Sequence, residues 1–220
     1  AVERAVPPPL RDHMVHTLQS LANLALRHAS GELGGDPLHV SIWHDEEAVV
    51  VLLDETDRRD KVTLPLVKTA VWKAVEKLEE SAFDQATLIR LLRVRLGKTV
   101  PASVLAAVRD VRWSRVAHDE QDVQHTQHTL GKTVELTVSG ANQLFEEFSI
   151  TSAVYAHELA ESTCSIRVAL DLDHAKQQFR LAVMEDGVQR AMQSIQQELH
   201  ERLEELVQES EKIDVYYGTP

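Results

Sequence analysis

Between residues 148 and 220 the hydrophobic period switches from two to about 3.6 and back, and that switch restricts what the chain can fold into. Phe148, Ile150, Ser152 and Val154 alternate with their neighbours. Cys164, Ile166, Val168, Leu170 and Leu172 then face one way, while Ser165, Arg167, Ala169 and Asp171 face the other. A turn at Asp173-His174-Ala175-Lys176 returns the chain through Phe179, Leu181 and Val183. This alternation predicts an antiparallel sheet with one wet face. From Val188 the apolar residues are Val188, Met192, Ile195, Leu199, Leu203 and Leu206. Steps of three and four predict a helix of about 20 residues packing one stripe on that sheet. A short strand at Val215-Tyr216-Tyr217 follows.

The rest of the chain reads less cleanly. Pro7-Pro8-Pro9 is a stiff lead-in, and Leu10, Met14, Leu18, Leu21 and Leu24 predict a helix over residues 10–29, broken by Ser30-Gly31. Residues 38–43, 47–53 and 61–66 read as a β-meander; the apolar run 49–53 predicts a strand buried on both faces. Residues 67–111 turn helical in three pieces, the second capped by Asp84 and stopped by Gly97, the third starting at Pro101. Thr133 to Val138 alternates again. The expected class is therefore α+β: antiparallel sheets, a long C-terminal amphipathic helix on the sheet, a helical middle and an N-terminal helix. The expected organisation is a lead-in and helix (1–30), a meander with three helices (31–117), a polar linker (118–130) and a sheet with long helix and terminal strand (131–220). These parts are compatible with one compact unit.

Charge is unevenly spread. The formal net charge is -12, from 23 basic and 35 acidic residues, which disfavours non-specific binding to phosphate backbones or anionic membranes. Yet Arg90, Arg93, Arg95, Lys98, Arg109, Arg112 and Arg115 fall within 26 residues beside a single acid, Asp110. Such a span suits an acidic partner: protein, nucleic acid or another part of the chain. Trp113 is its only aromatic residue, so a base-stacking platform for single strands is not supported. The C-terminal helix is the opposite. Glu198, Glu201, Glu204, Glu205 and Glu209 give it an acidic outer face. The two segments are complementary within or between chains, and a homo-oligomer is the expected consequence.

Specific chemistry is harder to find. Gly97-Lys98-Thr99 and Gly131-Lys132-Thr133 resemble the end of a phosphate-binding loop, but the required earlier glycine is replaced by Leu92 and Thr126. Residues 54–60 lack the glycine and terminal glutamate of a calcium loop. His118, Asp122, His125 and His128 are metal-ligand types at short spacing but match no established motif, and hydrophilic loop residues explain them more simply. His13, His16 and His28 read as surface histidines. Cys164, the sole cysteine, falls on the apolar side of its strand and reads as core filler. No catalytic residue, metal or cofactor is expected. A single cysteine, no apolar run of about 18 residues and no signal-peptide pattern at the start lead to an expected cytoplasmic protein without a membrane partner. A start at Ala1 instead of Met suggests that processing or trimming removed residues upstream.

The order of strand, hairpin, long acidic helix and terminal Tyr216-Tyr217-Gly218-Thr219-Pro220 resembles the YfdQ-like phage and prophage family. The likeness runs over residues 131–220, with Phe148-Ser149-Ile150 before Val154-Tyr155 and Phe179-Arg180-Leu181 before the helix; a weaker echo covers residues 49–96. It implies a phage-derived cytoplasmic protein of unknown biochemical role and supplies no catalytic residues. The function expected is non-enzymatic: self-association or partner binding. The alternatives are nucleic-acid association through residues 90–115, or an acidic mimic of a nucleic acid.

Overall fold

A computed structural model describes residues 12–32, 38–56, 60–78, 81–119, 132–139, 147–159, 161–173 and 175–220. The helices are α1 Leu18–Ser30, α2 Ala70–Val75, α3 Gln85–Arg90, α4 Ala102–Asp110 and α5 Gly187–Val207; a π-helical segment, Leu91–Leu96, and a 3-10 turn, Gly97–Thr99, follow α3. The strands are β1 Asp12–Met14, β2 Val40–His44, β3 Ala48–Leu52, β4 Lys61–Pro65, β5 Ser81–Phe83, β6 Arg112–Asp119, β7 Lys132–Ser139, β8 Glu147–Ala153, β9 Thr163–Asp173, β10 Gln178–Val183 and β11 Ile213–Tyr217. The class is α+β. Two compact units interleave along the chain: unit 1 is Ala1–Thr69, Ala153–Ser162 and Arg190–Pro220, and unit 2 is Ala70–Ser152 and Thr163–Gln189. This division differs from the serial blocks expected from the sequence.

Unit 1 is built on a five-stranded sheet in the order β1-β4-β3-β2-β11. The expected meander is present as β2, β3 and β4, each antiparallel to the next. Its edges depart from the expected antiparallel pattern. β1 runs parallel to β4 and β11 parallel to β2, because each edge strand is joined to the meander through a helix, and only such crossovers permit parallel pairing. Val49 and Val51 of β3 are fully buried while Val50 is half-buried, so this strand alternates instead of being buried on both faces.

The first helix is shorter than its apolar spacing suggested. Thr17 sits in extended backbone and its side-chain oxygen accepts from the Ser20 amide, 3.0 Å away. That cap starts α1 at Leu18 and leaves the preceding residues extended. They pair instead: the Val15 amide donates to the Thr63 carbonyl at 3.0 Å. Met14, expected on the apolar face of a helix, is 69% exposed. At the other end Gly31 takes a left-handed φ of 78°, a conformation cheap only for glycine, and its amide closes the helix on Arg27 and His28 carbonyls. Leu18, Leu21, Ala22 and Ala25 are buried on α1, which packs on β2, β4 and β11.

Unit 2 holds a four-stranded sheet, β5-β10-β9-β8, in which β10 is antiparallel to β5 and β9, and the antiparallel β6–β7 pair. The hairpin read from residues 163–183 is there in full, with Ile166, Val168, Leu170, Phe179 and Leu181 buried. The expected helix over residues 67–80 contracts to α2, which buries Trp72 and Val75, and β5 takes the residues beyond it to the edge of β10. Asp84 caps α3 as expected: its carboxylate accepts from the Thr87 amide at 2.7 Å, and that bond holds the carboxyl below its usual range. The polar stretch expected as a linker from residue 118 starts inside β6; residues 120–131 lie outside the described residues.

From residue 190 onward α5 belongs to unit 1, whereas the sequence assigned it to the sheet of residues 148–183. Its stripe of Met192, Ile195, Leu199 and Leu203 is buried as expected. The stripe ends on Val207 in place of Leu206, and it includes one polar residue, Gln196. No described helix is long and apolar enough to cross a membrane.

The core of unit 1 gives a direct test. Leu21 has no exposed surface, so Leu21→Ala is expected to lower unfolding free energy by about 2–5 kcal/mol. Urea denaturation followed by circular dichroism reads this as a shifted midpoint at constant slope.

Candidate functional site

The seven basic residues of the span do not form one equivalent set. Arg90 is the last residue of α3, where the helical backbone continues into the π-helical segment, and Arg109 lies in the last turn of α4, where a cation complements the carbonyl end of a helix. Arg112 is committed locally: its guanidinium donates to the carbonyls of Arg109 (2.7 Å) and Val111 (3.2 Å). Gln85 helps, donating to the carbonyls of Val108 (2.8 Å) and Val111 (3.0 Å), so two side chains close the end of α4. Arg115 lies in β6. The remaining three, Arg93, Arg95 and Lys98, stand exposed on the π-helical segment and the 3-10 turn.

Among the described residues, no carboxylate lies within ion-pairing distance of Arg90, Arg93, Arg95 or Lys98. Their backbone is unusual. Six consecutive residues, Leu-Leu-Arg-Val-Arg-Leu, adopt the wide π-helical winding, which is rare and recurs at functional sites. Leu92 and Leu96 anchor the segment in the core, and Val94 between the two arginines is 62% exposed. Gly97 then turns with φ 53° and ψ -120°, which needs glycine. An open depression of about 580 Å³ lies here, floored by Leu92, Val100, Pro101, Ala102 and Leu105 and rimmed by Arg93 and Lys98. An apolar floor with a cationic rim suits a partner that is acidic and partly apolar.

The acidic face of α5 is on the surface of unit 1: Glu198, Glu201, Glu204, Glu205 and Glu209 are all exposed. Three have contacts of their own. Ser162 donates its hydroxyl to Glu198, Gln197 donates to Glu201 at 2.9 Å, and His200 Nε2 lies 3.4 Å from Glu204.

Sequence reasoning missed a chain of buried polar groups in unit 1. His44, which falls between the strands expected at residues 38–43 and 47–53, is 1% exposed; Gln196 is 4% exposed, and Tyr155 is fully buried. His44 Nδ1 lies 3.0 Å from Gln196 Oε1, and His44 Nε2 lies 2.9 Å from His200 Nδ1. Gln196 donates through Nε2 to the Tyr155 hydroxyl at 2.9 Å, and that hydroxyl donates to the Glu46 carbonyl at 3.0 Å. Burial lowers the His44 imidazole below its ordinary value, against the hydrogen bond to Gln196, and burial raises the Tyr155 phenol. The available signal was Gln196, a polar residue one step from Ile195 and three from Leu199 on an apolar stripe. Such a residue needs a partner. Among the described residues, no group of three or more His, Cys, Asp or Glu is placed to hold a metal ion. His125 and His128 lie outside the described residues, as does Asp122.

No protein-family model, curated protein or solved structure matches this chain.

The buried chain predicts an asymmetric cost. Tyr155→Phe leaves the Glu46 carbonyl and the Gln196 amide without their partner, and is expected to destabilise by about 1–3 kcal/mol. Tyr155→Phe and parent chains compared by urea denaturation at pH 7.5 provide the measurement.

Proposed function

We propose that the protein is a non-enzymatic binding module that self-associates: the cationic rim of unit 2 in one copy meets the acidic face of α5 in another. The observation that carries this reading is the exposed set Arg93, Arg95 and Lys98, the first and last of them rimming an apolar floor, with no carboxylate within ion-pairing distance among the described residues. The same chain supplies complementary charge at Glu198, Glu201, Glu205 and Glu209. Exposed ion pairs contribute about 0.2–1 kcal/mol each, so several of them with an apolar contact support a weak, salt-sensitive association. Screening over about 10 Å at 0.1 M ionic strength acts directly on such a contact. A phage-derived cytoplasmic protein of the YfdQ-like family is the setting that the sequence resemblance suggests. The second reading, association with nucleic acid, rests on the same exposed cations. The lining of the depression contains no aromatic residue on which a base would stack.

Light scattering across a salt series tests the proposal. The expected result is a mass above 24.7 kDa at about 50 mM salt that falls to the monomer near 500 mM. Arg93→Glu with Lys98→Glu is expected to give monomer throughout, and mixing it with a Glu201→Lys, Glu205→Lys variant to restore the larger species. A parent chain that is monomeric at every salt concentration overturns self-association. If that monomer retards DNA at low salt through Arg93 and Arg95, the second reading replaces it.

A further inference from the structure

The hydrogen-bond chain in unit 1 has a direction, and it is set at the buried end. The Glu46 carbonyl only accepts, so Tyr155 gives it the phenolic proton and must itself accept from Gln196 Nε2. The Gln196 amide is thereby oriented with Oε1 toward His44, and His44 must carry its proton on Nδ1. A neutral His44 then has a bare Nε2, which accepts from His200 Nδ1. His200 also faces the Glu204 carboxylate through Nε2 at 3.4 Å. The chain is polarised from His200 to a buried carbonyl.

The pair has room for a proton on one of the two facing nitrogens and not on both. When acid protonates both rings fully, His44 Nε2–H points at His200 Nδ1–H across 2.9 Å, replacing a hydrogen bond by two opposed donors and two adjacent cations. The surroundings do little to offset this. From α5, His44 faces Gln196 and His200, with Glu204 beyond; from β11 it meets the edge-on ring of Tyr217, and from residues 153–162 it faces Tyr155 through Gln196. Asp45 is the nearest acid, but its carboxylate is engaged by the amides of Glu47 (2.7 Å) and Ala48 (2.9 Å). The Glu46 carboxylate is paired with Lys68 at 3.3 Å. The same residue joins three elements. His44 ends β2, contacts α5 through two side chains, and accepts the Gly218 amide on its carbonyl at 2.8 Å, just past β11.

We propose that the His44–His200 contact is an acid-released latch that fastens α5 and β11 to the meander of unit 1. The sign follows from burial. The folded state holds His44 neutral to lower pH than the unfolded chain does, so the latch is fully engaged above about pH 6.5, the ordinary histidine value. Its contribution is lost as pH falls from there through the lower value of the folded state. One proton changes an opening equilibrium by at most about tenfold per pH unit.

Two measurements on the full chain test this. Long-range nitrogen–proton NMR at pH 7.5 is expected to show His44 neutral with its proton on Nδ1; a proton on Nε2, or on both nitrogens, overturns the latch. Amide exchange at pH 7.5 and 5.5, corrected for intrinsic rates, is expected to show residues 213–217 opening about tenfold more at the lower pH, while β9 and β10 of unit 2 change less. Equal changes in both regions overturn the proposal. His44→Gln is expected to abolish the selective acid response, and the two parent-chain measurements stand if that variant fails to fold.

Discussion

Strand β2 is hydrogen-bonded on both sides, antiparallel to β3 and parallel to β11, and the placement of unit 1 depends on that double pairing. Local physics explains only one of the two. The β2–β3 pairing closes through three residues, with Asp45 turning the chain by accepting two backbone amides. The β2–β11 pairing joins residues more than 170 positions apart, and closing so long a loop costs conformational entropy that a five-residue parallel ladder cannot offset alone. Side chains supply the rest. Trp43 stacks against Tyr216 at 4.7 Å, His44 meets Tyr217 edge-on at 5.4 Å, and α5 adds Gln196 and His200 to the same histidine. A buried polar group with all partners met favours one register over its neighbours, since a slip of one residue would turn His44 to the opposite face.

What was legible in the sequence tracks how long each pattern persists. The apolar stripe of α5 runs through 21 residues and the alternation of β9 through 11, long enough for the period to show. β1 and β5 have three residues each, too few to carry a period; the first was read as helix and the second fell between two expected helices. Before α1 a chance match of Leu10 and Met14 to helical spacing concealed the cap at Thr17, directly before Leu18. The parallel edges and the allocation of α5 to unit 1 were not legible at all. They depend on contacts across most of the chain, which no local window contains.

The candidate surfaces show the same division. Residue type located the cations and the acids correctly on the outside, yet it treated seven basic residues as equivalent. Backbone geometry separates them: Arg112 is consumed in closing α4, Arg109 sits in the last turn of α4, Arg90 precedes the wide helical winding, and Arg93 and Arg95 flank the exposed Val94 on it, with Lys98 on the 3-10 turn beyond. The buried chain through His44 and Gln196 escaped because its partners lie 152 residues apart in sequence. A glutamine on an apolar stripe is visible in the sequence, but the histidine that satisfies it is not.

The interleaving of the two units has a consequence for how the protein is made. Residues 12–65 provide four strands of the unit 1 sheet and leave the ribosome before unit 2, while α5 and β11 emerge only after nearly all of it. Until then β2 has an open edge beside Trp43, and His44 lacks its partners on α5. The nascent chain must therefore carry an incomplete sheet while unit 2 is made, a state exposed to pairing with other chains. Unit 2, whose two segments are separated by only 10 residues of unit 1, is free to close first.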